Sequence, residues 1–213
     1  MRQPAAPAAR ASARSAEADG PDGATGIKQF AGPCKASGRG LIPHLERGAR
    51  RPGDAREARL RLVLYEPDIP QNAGTMMRLC ACLDLPLDLV EPCGFLLSDR
   101  HLRRAGMDYL DHLRLARHRS FAAFEAWRRA TLPGARLLLL TTRGERAYHD
   151  FAYRPDDLVM VGRESAGVPE SVHGAADARL RIPMAPGRRS LNVALAASMV
   201  LGEALRQTGG FPA

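Results

Sequence analysis

At 213 residues, with 45% hydrophobic content and a formal charge of +8, the chain is long enough to bury one good-sized core and to carry an appendage. Residues 1–59 hold 14 alanines, 8 glycines, 6 prolines and 9 arginines, and their large apolar side chains are confined to Met1, Ile27, Phe30, Leu41, Ile42 and Leu45. So little apolar surface cannot offset the entropy of ordering, so this segment is expected to be a disordered extension, with "LIPHL" at most a docking patch, and the folded domain is expected over 60–213. The extension lacks the apolar run of a secretory signal, and Glu17, Asp19 and Asp22 argue against an organelle leader. No stretch approaches the ~18 apolar residues of a membrane span, so a soluble, cytoplasmic protein without a membrane partner is expected. Eleven basic and six acidic residues fall within 1–59, so global basicity is a weak argument for nucleic acid.

From residue 60 strand and helix alternate. "RLVLYE" (61–66) reads as a short buried strand, "PDIPQN" as a turn, and a helix is expected over about 73–83 with Asn72 as its cap. "LDLVEP" (87–92) is a second strand, and "SDRHLRRAG" (98–106) a short basic helix capped by Ser98 or Asp99 and ended by Gly106. "HLRLA" (112–116) gives a weak third strand. "SFAAFEAWRRA" (120–130) is a capped amphipathic helix with Phe121, Phe124 and Trp127 near one face. "ARLLLLTT" (135–142), "DLVMVG" (157–162) and "ARLRIP" (178–183) are further buried strands, and a last helix, opening on Ser190, runs to about Gln207. Such alternation predicts an α/β fold with a mostly parallel sheet and helices on both faces.

In such sheets ligands collect at the carboxyl ends of the strands. Three exits here carry glycine, hydroxyls or amides: "LLTTRGE" (139–145), "VGRESAGVP" (161–169) and "IPMAPGRRSLN" (182–192). Clustered together, they would form a pocket lined by main-chain groups. Familiar nucleotide motifs are excluded. "EPDIPQNAG" stands where a dinucleotide fingerprint would follow the first strand, and "GRESAG" lacks both the lysine of a phosphate loop and the glycine that a nucleophile elbow places two residues before Ser165. The six histidines show no metal spacing, and Cys34, Cys80, Cys82 and Cys93 form no C-x-x-C, so no metal is expected and the thiols read as reduced.

"IPQNAGTMMRLC" (69–80), "MVGRESAGVP" (160–169) and "RIPMAPGRRSLNVALAASMV" (181–200) resemble the three motifs of the SpoU branch of the SPOUT RNA methyltransferases, and "EPCGFLLSDRHLRRAGMDY" (91–109) is similar to single-domain members that methylate the ribose 2′-oxygen of the tRNA wobble nucleotide. The resemblance implies a deep trefoil knot at the C-terminal end of the α/β fold, an exception to the rule that chains do not thread loops. It implies S-adenosylmethionine in that knot, contacted by Leu140, Gly162, Ile182 and Ser190, with Thr141, Glu164, Gly167, Leu191 and Asn192 adjacent. It also implies a homodimer in which the first and last helices pack across the two-fold axis.

The resemblance assigns catalysis to Arg78, with Asn72 and Glu164 beside it. Methyl transfer from a sulfonium to a hydroxyl needs alignment and help in losing a proton. A guanidinium with a pKa above ~12 is a poor base, so Arg78 is expected to position a phosphate or polarise the hydroxyl, or else to form a structural ion pair with a carboxylate such as Glu164. Arg103, Arg104 and Arg189 are candidates for tRNA backbone contacts, although adjacent Arg103 and Arg104 point apart on a helix. Relatives carry a Ser-Asn pair where this chain has Ala194 and Leu195, which leaves open how the last helix begins. Competing readings are methylation of another tRNA position or of ribosomal RNA, a non-catalytic RNA-binding protein, and a hydrolase using Ser165.

Overall fold

The computed structural model describes residues 59–95 and 112–213. The expected extension, the basic helix of 98–106 and with it Arg103 and Arg104 therefore lie outside the described residues. The elements are β1 (Arg61–Tyr65), α1 (Pro70–Cys82), β2 (Leu87–Val90), β3 (Leu115–His118), α2 (Phe121–Thr131), β4 (Leu137–Leu140), β5 (Arg146–Ala147), a 3-10 turn (Tyr148–Asp150), β6 (Leu158–Val161), α3 (Glu170–Ala175), β7 (Ala178–Arg181) and α4 (Val193–Thr208). Seven strands form one sheet in the order β3-β2-β1-β6-β4-β7-β5, and each pairing is parallel.

Alternate residues of the strands feed two cores. Leu62, Leu64, Leu87, Leu89, Val159, Val161, Leu138 and Leu180 face α1 and α4, where they meet Met76, Met77, Ala197, Val200 and Leu201. Val63, Tyr65, Val90, Leu137, Leu139, Leu158 and Met160 face Phe124 of α2 and Val172 of α3. A sheet covered on both sides explains why its strands read as continuous apolar runs. In α4 the buried residues Ala194, Ala197, Val200, Leu201, Ala204 and Leu205 recur at helical spacing, and its far end is fastened by Gln207, which donates to the Phe151 carbonyl at 3.0 Å and accepts from the Tyr153 amide at 3.1 Å.

Several boundaries differ from the sequence expectation. Helix α1 starts three residues early, because Pro70 occupies its first turn and Ile69 is the N-cap; proline's fixed φ and missing N–H suit that position. Asn72 is therefore not the cap but a first-turn residue whose side-chain amide bonds outside the helix, to Glu164 and Asn192. The third strand lies at 115–118 rather than 112–116, where His118 reaches Asp88 of β2. Helix α4 begins at Val193 with Asn192, not Ser190, as its cap. The short β5 and α3 carry too few residues for a periodic signal.

A buried ionic cluster ties the β1–β2–β3 side together. Asp88, fully buried, accepts from Arg61 Nε at 2.8 Å and shares a 2.8 Å hydrogen bond with His118 Nε2. The Arg61 guanidinium also stacks over Trp127, 5.2 Å from the ring centroid, and His118 packs edge-on against Phe124. Removing one member leaves its partners buried without a counter-charge. Asp88→Ala is expected to lower unfolding free energy by roughly 3–5 kcal/mol in urea titrations, a loss near zero being the contrary result.

Candidate cofactor and substrate site

The carboxyl ends of β4, β6 and β7 open into one cavity of about 630 Å³. Its walls are Leu139 to Thr142, Val161 to Glu164 with Gly167 and Val168, and Ile182, Met184 and Arg189 to Val193 with Ala196; Ile69 and Asn72 close it from α1. The volume lies within the range of pockets that enclose a cofactor-sized ligand.

Backbone crossings create this convergence. Strand β7 lies between β4 and β5, so the connection 141–145 must pass over it, and the Thr141 amide bonds the Leu180 carbonyl at 2.9 Å. A Cβ on Gly144 would stand 2.3 Å from the Leu180 carbonyl carbon, so only glycine fits there. The loop after β6 folds back on itself through reciprocal bonds, Arg163 N to Gly167 O at 3.0 Å and Gly167 N to Arg163 O at 2.8 Å. Gly167 turns it at φ +67°, and Gly162 lies against it, where a Cβ would be 2.8 Å from the Gly167 carbonyl carbon.

One chain of hydrogen bonds joins the walls. The Asn192 side-chain Oδ1 accepts from the amides of Ala194 at 2.9 Å and Leu195 at 3.3 Å, while its Nδ2 donates to Asn72 Oδ1 at 3.0 Å. Asn72 Nδ2 donates to Glu164 Oε1 at 3.1 Å, and Glu164 Oε2 accepts from the Asp68 amide at 3.1 Å. The Glu164 amide returns a bond to Asp68 Oδ1 at 3.1 Å, and the Ser165 hydroxyl donates to Asp68 Oδ2. Burial pushes the Asp68 carboxyl up, but hydrogen bonding with Glu164 and Ser165 outweighs it and holds the group at about 2. Glu164 is raised, first by burial and then by Asp68, with the Asp68 amide and the Asn72 side chain pulling partly back. Arg163 is turned to Glu66, Nη1 to Oε2 3.2 Å, where Glu66 adopts an uncommon φ of +43°.

Of the residues singled out from sequence, Leu140, Thr141, Gly162, Gly167, Ile182, Ser190, Leu191, Asn192, Arg189, Asn72 and Glu164 all line the cavity. Arg78 is an exposed residue of α1 outside that lining. Asp68 joins the site without a sequence signal beyond an acidic residue in a turn before a helix, and the Ser165 hydroxyl, a candidate nucleophile from sequence, is given to Asp68. Ala194 and Leu195 need no polar side chain to start α4, because Asn192 takes both of their amides. No group of three or more potential metal ligands and no helix long and apolar enough to cross a membrane occurs among the described residues.

Fold and cavity together define a parallel α/β protein with a cofactor-sized cavity where its strand exits meet. The sequence profile of the SpoU rRNA Methylase family matches residues 59–202, and the chain belongs to that family. It is 64% identical over 148 residues to a protein of Beijerinckia indica subsp. indica named tRNA (cytidine(34)-2'-O)-methyltransferase, covering 70% of this chain and 91% of that one. It is 43% identical over 152 residues to the Escherichia coli (strain K12) protein of the same name, covering 70% and 94%. Among solved structures, one described as giving insight into the 2-OH methylation of C/U34 on tRNA aligns at TM-score 0.65 with 45% identity, over 70% of this chain and 96% of that one. The SpoU methyltransferase AviRb from Streptomyces viridochromogenes, in complex with AdoMet, aligns at 0.64 with 28% identity, over 71% and 61%.

Asn192 is expected to act on stability through its cap. Asn192→Ala should lower the unfolding free energy by about 1 kcal/mol in denaturant titrations, and Asn192→Asp, which keeps the acceptor, should stay within a few tenths. Equal losses in both variants would assign the effect to the bond with Asn72 instead.

Proposed function

We propose that this chain transfers a methyl group from S-adenosylmethionine to the ribose 2′-hydroxyl of the wobble nucleotide, position 34, of tRNA, with cytidine or a modified uridine as the base. The observation that carries the reading is the 64% identity, over 70% of this chain and 91% of the relative, to a protein named for that reaction. The cavity suits the cofactor: Leu139, Leu140, Val161, Val168, Ile182 and Leu191 offer apolar surface for a purine, beside main-chain groups and Asn192 for its polar edge. When bound, S-adenosylmethionine supplies an electrophilic methyl group. The crossing of 141–145 over β7 supports a trefoil knot here, with the stretch 182–192 as its last strand of backbone.

The chain's own residues then bind and align. Thr141, Gly162, Gly167, Ser190 and Leu191 hold the cofactor, while Asn72, fixed between Glu164 and Asn192, presents one amide at the wall of the site. Arg78 lies six residues beyond Asn72 on α1 and positions a phosphate or the attacking hydroxyl, since its guanidinium holds its proton too firmly to serve as a base. Arg189 at the cavity rim, together with Arg103 and Arg104, contacts the tRNA backbone. Labelled cofactor incubated with bulk tRNA should leave label on the 2′-oxygen of nucleotide 34, read by nucleoside mapping. Arg78→Ala should lower kcat by about 100-fold or more while cofactor affinity, by calorimetry, changes by less than about threefold. Label at another nucleotide or in ribosomal RNA would replace the substrate assignment, and no label anywhere would end the methyl-transfer reading.

We further infer a cytoplasmic homodimer. Ile69, Leu191, Leu195 and Met199 are 40%, 43%, 60% and 39% exposed, an unusual share of apolar surface for the start of α1 and the first half of α4. A second copy of the chain covers this patch in the proposed assembly and brings its residues to the neighbouring site. Leu195→Glu with Met199→Glu is expected to halve the mass seen by light scattering and to abolish transfer; an unchanged dimeric mass would place the interface elsewhere.

A further inference from the structure

We propose that Asp68 is a positioning residue for methyl transfer: it clamps Glu164 to the wall of the cavity and, through Glu164, fixes the amide of Asn72. The proposal rests on the methyl-transfer reading of the site. Asp68 spends three polar groups on one neighbouring loop. Its amide donates to Glu164 Oε2 at 3.1 Å, its Oδ1 accepts from the Glu164 amide at 3.1 Å, and its Oδ2 takes the Ser165 hydroxyl. Residues 96 apart in sequence are thereby joined in both directions.

The clamp is itself braced from a third strand exit. The Gly94 amide, after β2, donates to the Pro67 carbonyl at 2.9 Å, and a Cβ on Gly94 would lie 2.8 Å from Asp68 Cα. Asp68 cannot retreat from Glu164 without displacing that contact. Downstream, Glu164 accepts Nδ2 of Asn72, so rotation of the carboxyl would release an amide that lines the cavity. Positioning of this kind governs rate because small displacements of aligned groups are costly to the transition state.

Glu164 is surrounded by identifiable charges. Asp68 faces it from the β1–α1 loop, the neutral amide of Asn72 from α1, and Arg163 beside it is paired with Glu66. Its ionised form accepts both donors, the Asp68 amide and Asn72 Nδ2, so ionised Glu164 is the ordered one. Burial and then hydrogen bonding with the Asp68 carboxyl raise its titration. Activity should therefore fall as the pH drops through the Glu164 titration. Weakening the Asp68 carboxyl as a hydrogen-bond acceptor lets Glu164 ionise at lower pH, which moves the acid limb the same way.

The test compares wild type, Asp68→Asn, Asp68→Glu and Ser165→Ala as full-length chains. Expected for D68N is a kcat about tenfold lower with KM for cofactor within about threefold, and an acid limb displaced to lower pH. D68E should keep the wild-type acid limb and recover part of kcat. A D68N enzyme with wild-type kcat, or with reduced kcat and an unmoved acid limb, overturns the proposal, since a mere loop prop would not shift the pH profile. Should D68N fail to fold, S165A keeps the backbone and deletes one bond of the clamp; a kcat about threefold lower at an unchanged unfolding midpoint supports the proposal, and wild-type kcat overturns it. Carboxyl ¹³C titration of Glu164 separates the two levels of the argument. Equal midpoints in wild type and D68N overturn the clamp even in an active enzyme. A wild-type chain that methylates no RNA overturns the methyl-transfer reading, and with it the role of Asp68 in transfer, whatever the midpoints show.

Discussion

The site depends on one backbone constraint, the lodging of β7 between β4 and β5. Because the two short strands that flank β7 are joined by residues 141–145, that connection has to cross β7 within van der Waals contact, and Gly144 is the residue that makes the crossing possible. The crossing sets the exits of β4 and β7 side by side, and β6 is already paired with β4 on the other flank. Three polar, glycine-containing exits then share one end of the sheet. A cavity follows from the topology before any side chain is considered.

Side chains decide what the cavity presents. Below it Leu139 in one core and Val161 and Leu180 in the other are closely packed and buried, and close packing leaves little freedom. Above it hydrogen bonds tie the loops to one another. Asn72 is the natural link because a carboxamide donates and accepts at once: it gives Nδ2 to Glu164 and takes Nδ2 of Asn192 on Oδ1. An aspartate there could not donate, and an apolar residue could do neither. Asn192 in turn serves the helix, so the start of α4 and the shape of the cavity are set by the same amide.

Much of this was readable in the sequence. Continuous apolar runs such as "LLLL" and "LVMV" announce strands buried on both faces, and the glycines and hydroxyls after them mark the exits that line the cavity. What could not be read is long-range pairing. Asp68 and Glu164 are ordinary loop carboxylates in one dimension, and the Asp88 cluster hides inside "LDLV", where a single acidic residue in a buried strand gives no hint of Arg61 and His118 as partners. The start of α4 differs from the expectation at Ser190 for a local reason, whereas α2 starts after Ser120 as expected. A capping amide is recognised by residue type, and Ser190, Leu191 and Asn192 present two such types in three positions, so only geometry distinguishes the cap from its neighbour.

On the methyl-transfer reading, the distribution of charge has a physical rationale. The donor is a cation and the acceptor a polyanion, so one site must attract both without letting one neutralise the wall meant for the other. Carboxyls Glu66, Asp68 and Glu164 are partly shielded in the loops beside the cavity, where Arg163, Asn72 and backbone amides occupy their oxygens. Arg143, Arg188 and Arg189 are exposed on the two exits that flank it. Exposed guanidinium groups act at long range on phosphates, whereas hydrogen-bonded carboxyls act only at contact. Separating the two by depth lets the RNA be drawn to the rim while the positioning network inside stays saturated, and that saturation keeps its geometry unchanged as the charged substrate arrives.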